Sequence, residues 1–98
     1  MPDEKKPDIK SLYKVGDRVQ ILNSDANRSL NGTYGTVAAV AKHGVLVNHD
    51  RFHQILHDGG GETPQGHGWW YDADYIEFYL KKIGSISIKS DLDIAEIM

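Results

Sequence analysis

The chain of 98 residues contains no cysteine. That absence excludes a disulfide framework, a thiolate nucleophile and any zinc site with sulfur ligands, and it agrees with a reducing compartment. Also absent is any apolar run near the roughly 18 residues of a membrane span, and the opening MPDEKKPDIK has no apolar stretch of the kind a signal peptide needs. A basic excess is missing as well, with 11 Lys and Arg against 14 Asp and Glu and a net charge of -3. Phosphate neutralisation supplies most of the affinity of nucleic-acid modules, so this balance argues against nucleic acid as a direct ligand. The expectation is one small cytoplasmic domain with no membrane contact.

What is present is short-range alternation. Residues 1–10 are charged, carry Pro2 and Pro7 and show no period, so they predict a disordered arm. From Val15 to Ile21, apolar and polar residues alternate in the period-two pattern of a half-buried strand. A polar loop, Asn23 to Gly32, leads to a second strand in TYGTVAAVA, where Gly35 permits a bulge or a close backbone approach. Lys42-His43-Gly44 turns the chain into a third strand, VLVNH. Residues 50–58 have apolar spacing for two helical turns, which would stack His49, His53 and His57 on one face. Gly59-Gly60-Gly61 ends any such helix, and the connection runs on to Gly68. Trp69-Trp70-Tyr71 predicts a fourth strand, and Tyr75 to Leu80 a fifth. Residues 83–98 alternate and then turn acidic, as an extra strand or a tail that orders with a partner would. The fold expected for 11–82 is all-β, a small SH3-like barrel of five or six strands with one long loop and flexible termini.

Particular words of the sequence carry a resemblance. YKVGDRVQIL, GTYGTVAAV, VLVNHD and GWWYDADYIEF resemble the layout of small SH3-like barrels. His57-Asp58-Gly59-Gly60-Gly61 followed by Gly66-His67-Gly68-Trp69-Trp70 resembles the H-D-G-G-G … G-H-x-W-W signature of small proteins of tailed bacteriophages and bacteria. That resemblance spans roughly Tyr13 to Phe78; it implies the barrel fold and a phage or mobile-element setting, and no particular activity. GTYGTVAAV is also similar to the core of KOW-type barrels of ribosomal and transcription-elongation proteins.

The residues that bear chemistry are few. His57, Asp58 and His67 are candidate nitrogen and oxygen ligands for a divalent ion. The plainer reading makes them loop-shaping residues together with Gly59, Gly60 and Gly61, whose freedom at positive φ lets the loop fold back. The glycines are followed by Glu62-Thr63-Pro64 with no lysine, unlike a phosphate loop, and no nucleophile elbow or triad grouping occurs. No cofactor, no catalytic residue and no resident metal are expected. Neighbouring strand residues face opposite ways, so one of Trp69 and Trp70 must lie outside the barrel core. With Tyr71, Tyr34, Tyr75, Asp72 and Asp74 they predict an aromatic, acid-edged surface for a protein partner, such as a basic surface on a host enzyme. The alternatives are a KOW-like nucleic-acid-associated module and, third, a metal-dependent activity at His57, Asp58 and His67.

Overall fold

Asp17, Val19 and Ile21 point inward while Arg18 and Gln20 stay half-exposed, which makes Asp17–Ile21 strand β1. In the computed structural model, which describes residues 8–85, it is followed by β2 (Tyr34–Ala41), β3 (Gly44–His49), β4 (Gly68–Asp72) and β5 (Leu80–Ser85). All pairings are antiparallel, and the sheet order is β4-β3-β2-β1-β5. The last strand therefore returns to the free edge of the first, and the single sheet coils into a small all-β, barrel-like fold. The described residues contain no helix long and apolar enough to cross a membrane.

Two extra residues bend this sheet. Ala38 is inserted in β2 between the pairs Val37↔Val47 and Ala39↔Leu46. Ile83 is inserted in β5, between Arg18↔Gly84 and Val19↔Lys82, and it is exposed. Such bulges raise local twist, which a sheet this small needs to wrap a core. Gly35 marks a close approach instead: a Cβ there would lie 2.6 Å from Val47 Cγ1 and 2.8 Å from the Asn48 carbonyl.

Val19, Ile21, Val37, Val45, Val47, Tyr71 and Leu80 fill the concave side, closed by Ile9, Tyr13 and Ile76. β3 reads as a nearly continuous apolar run because both its faces are covered. Val45 and Val47 face the core, while Leu46 faces the other way and is buried beneath Gly59.

Four expectations need correction. Tyr75 to Leu80 is not a strand: Ala73–Tyr75 forms a 3₁₀ turn, and Ile76–Tyr79 a helical turn, α2. Ile76 in α2 and Leu80 just after it stand four apart and are buried, and the Asp72 carboxylate accepts from the Asp74 N–H at the start of the 3₁₀ turn. Residues 50–58 do not form a helix, because their backbone donors are claimed from across the loop. The N–H groups of Asp50, His53 and His57 donate to the carbonyls of Tyr34, Gly66 and Gly68. The expected arm of residues 1–10 does not include its last residues, since Asp8 caps helix α1 (Ile9–Leu12) and Ile9 enters the core. The barrel does not stop at residue 82 either, for β5 continues to Ser85 alongside Asp17. The remainder of the predicted C-terminal extension lies outside the described residues.

Candidate functional site

Three separate segments meet beside the core to form a groove of about 540 Å³. Ile9 and Leu12 come from α1, Lys42 from the β2–β3 turn, and Ala73 to Phe78 from the β4–β5 connection. Ile9 and Ile76 are anchored in the core and supply an apolar floor. Tyr75 and Phe78 stand on its wall, 62% and 61% exposed. They are three residues apart on one helical stretch, the spacing that puts side chains on one face. Among the described residues, Asp8, Asp74 and Glu77 edge the groove together with the ammonium of Lys42. The volume lies within the range of ligand and peptide pockets, and the rim is acidic.

A chain of polar groups runs through the interior. The His49 N–H and the Nδ1 of its ring both bond the His67 carbonyl at 2.8 Å, and His67 Nδ1 bonds the His49 carbonyl at 2.6 Å. A carbonyl only accepts, so both Nδ1 atoms carry protons. His49 Nε2 lies 2.8 Å from the Tyr71 hydroxyl, which lies 2.9 Å from Ser24 Oγ. In the neutral ring Nε2 accepts, so Tyr71 donates to His49 and accepts from Ser24, whose oxygen in turn accepts from the Ala26 N–H. Burial pushes the His49 imidazole below the ordinary histidine value and the Tyr71 phenol well above the ordinary tyrosine value. The hydroxyl of Ser24 is thus engaged in a structural network.

The long loop is stitched by its own histidines. His57 Nδ1 accepts from the Gly59 N–H at 2.8 Å, and the Asp58 carboxylate accepts from the Gly60 N–H at 3.0 Å. Gly59, Gly60 and Gly61 all have positive φ, between 61° and 98°, a conformation that side chains with a Cβ rarely adopt. His57 pairs with Gly68 as an isolated bridge and packs against Trp69, their ring centroids 5.5 Å apart. Among the described residues no three His, Asp or Glu side chains are grouped to hold a metal ion. His57, Asp58 and His67 therefore do not form a ligand set; the nitrogens and oxygens described are directed at backbone groups.

The aromatic surface expected from the sequence is divided. Tyr71 is wholly buried and is not a contact residue, because it faces inward with Val45 opposite it on β3. Trp69, on the same face, packs against the core and donates its indole N–H to Asp25 at 2.8 Å. Trp70 faces the other way and packs on the His43 ring at 5.2 Å. Tyr34 is exposed at the start of β2, opposite Gln20, and does not line the groove. Asp72 acts as a cap. Only Tyr75 and Asp74 of the predicted set reach the groove. Asp8, Ile9, Leu12, Lys42, Glu77 and Phe78 escaped the sequence reading, although Asp8 before Ile9 and Leu12 carries the signal of a capped helical turn. Compared with protein-family models, curated proteins and solved structures, the chain finds no match.

Proposed function

We propose that this protein is a small, non-enzymatic interaction module that binds a protein partner through the groove between α1 and α2. The observation that carries this reading is the juxtaposition, among the described residues, of an open apolar floor, two exposed aromatic side chains and three carboxylates beside the ammonium of Lys42. Exposed aromatics beside an apolar pocket are the side chains that dominate binding energy once a partner desolvates them. An acidic rim adds selectivity by attracting cationic partners and repelling anionic ones, nucleic acid included. The partner we infer presents an apolar anchor flanked by Lys or Arg, as the nucleic-acid-binding groove of a host enzyme does. The phage setting implied by the His57 to Trp70 resemblance would place that encounter in the cytoplasm of a bacterial cell.

The test is capture from nuclease-treated bacterial lysate, with a photo-crosslinking residue at position 78 and Tyr75→Ala as the control. The reading expects one protein adduct that Tyr75→Ala depletes about tenfold or more, the loss of an interface anchor. Equal capture by Tyr75→Ala would overturn the groove as the contact surface. Tight salt-sensitive binding to duplex DNA or RNA would replace the reading with a nucleic-acid-associated module.

A further inference from the structure

Taking the groove as a docking surface, the reading on which this rests, we propose that it receives a second copy of this chain. Phe52 of that copy enters as the apolar anchor, with Arg51 and Arg28 beside it.

Phe52 is 60% exposed, and its ring is nevertheless seated. It lies across Gly66, where an added Cβ would collide with the ring, and stands edge-on to His67 with centroids 5.9 Å apart. Gly66 has a φ of 88°, a conformation that itself favours glycine. The backbone is tied on both sides of the ring. The Asp50 N–H donates to the Tyr34 carbonyl at 2.9 Å, and the His53 N–H donates to the Gly66 carbonyl at 3.0 Å. An aromatic side chain held exposed by its own surroundings loses little freedom on binding, which favours it as an interface anchor.

The charges next to this anchor are cationic. Arg18 forms a bidentate pair with Asp50, at 2.8 and 2.7 Å, and so balances the acid that precedes Arg51. Arg51 donates to the Ser29 carbonyl at 3.3 Å, which brings its guanidinium to the turn that carries Arg28. Arg28 and Arg51 are both exposed. A guanidinium suits carboxylates because its donors form a planar fork. The groove answers with Asp8, Asp74 and Glu77 beside Lys42, and with Ile9, Tyr75 and Phe78 as apolar surface. Anchor and groove match in polarity and are opposite in charge. They share no residue, so each molecule presents both. A contact between two different patches is heterologous, and it builds a ring or an open filament rather than a two-fold dimer.

Sedimentation velocity of the full chain, from micromolar to millimolar concentration, tests this. The mean mass should rise with concentration, and the rise should shrink at about 1 M salt, where the Debye length is about 3 Å. Phe52→Ala and Tyr75→Ala should each weaken self-association about tenfold or more, as lost interface anchors do. Mixed in equal amounts, the two variants should recover a dimer, because one keeps the groove and the other keeps the anchor. A monomer throughout, association that neither variant weakens, or a mixture that stays monomeric would each overturn the proposal. A second measurement needs neither variant. The sequence has no cysteine, so Gln54→Cys gives a single attachment point for a spin label close to Phe52. Added to isotope-labelled wild-type chain, the spin-labelled protein should broaden the amides of Tyr75 to Phe78 before any others. Uniform broadening, or none, overturns the contact. A strictly monomeric chain removes the second copy and leaves the groove to a foreign partner, whereas lysate capture undiminished by Tyr75→Ala removes both.

Discussion

Tyr71 shows how one side chain serves two purposes. Its ring fills the core beside Tyr79, and its hydroxyl links Ser24 to His49. Tyr71→Phe keeps the ring but leaves His49 Nε2 without a donor in a buried site. The expected cost is about 1–3 kcal/mol, measured as a shift of the urea midpoint at constant slope. The adjacent tryptophans separate along the same lines. Trp69→Ala removes a side chain packed on the core and should destabilise by about 2–4 kcal/mol. Trp70→Ala, whose partner is the exposed turn residue His43, should cost clearly less. Equal losses in the two variants would contradict the facing of β4 described here.

At the scale of elements, the connection between β4 and β5 decides whether the groove exists. Asp72 caps the 3₁₀ turn, and Ile76 and Leu80 tie the helical turn to the core. Asp72→Ala should cost about 1 kcal/mol, as lost caps generally do, and weaken partner capture through disordered Tyr75 rather than through lost charge. Asp72→Asn, which can still accept from the Asp74 N–H, should restore both. β5 is fastened to β1 by its ladder and by Lys82, whose ammonium donates to the Leu12 carbonyl and lies 3.4 Å from the Asp17 carboxylate. Asp17 is itself buried and accepts from the Lys14 N–H at 2.9 Å, so it joins the start of the barrel to its last strand.

The whole molecule should show a stability plateau bounded on both sides by buried groups. His49 is held below its ordinary value by burial, so the unfolded chain takes up a proton before the folded one does. Its contribution is complete above the unfolded pKa, about 6.5, and is lost as pH falls through the folded value. The Arg18 guanidinium holds the Asp50 carboxylate below its ordinary value, which adds a further loss under about pH 4. Burial raises the Tyr71 and Tyr13 phenols, so their contribution is present below about pH 10 and lost as pH rises above it. Melting temperatures followed from pH 4 to pH 11 should therefore be flat between about pH 7 and 9.5 and fall on either side. A melting temperature that rises steadily from pH 7 down to pH 5 would contradict the buried neutral state of His49.

Period-two alternation is a property of near neighbours, and it made β1, β2, β3 and β4 legible in the sequence, as well as the glycine-bent loop before Trp69. Composition excluded cysteine chemistry, and the same alternation pointed to the all-β class. It did not decide how Tyr75 to Leu80 would fold, because a short apolar segment suits a strand or a helical turn equally well. Burial of Ile76 and Leu80 against residues far away in sequence selected the turn. Nor did it decide which tryptophan enters the core: the alternation places Trp69 and Trp70 on opposite faces, and the pairing of β4 with β3 then chooses between them. The groove was the least legible feature, since residues 8–12, 42 and 73–78 have no common local pattern. They become one surface only when β5 pairs with β1 and the sheet coils, an outcome of long-range packing that no window of the sequence contains.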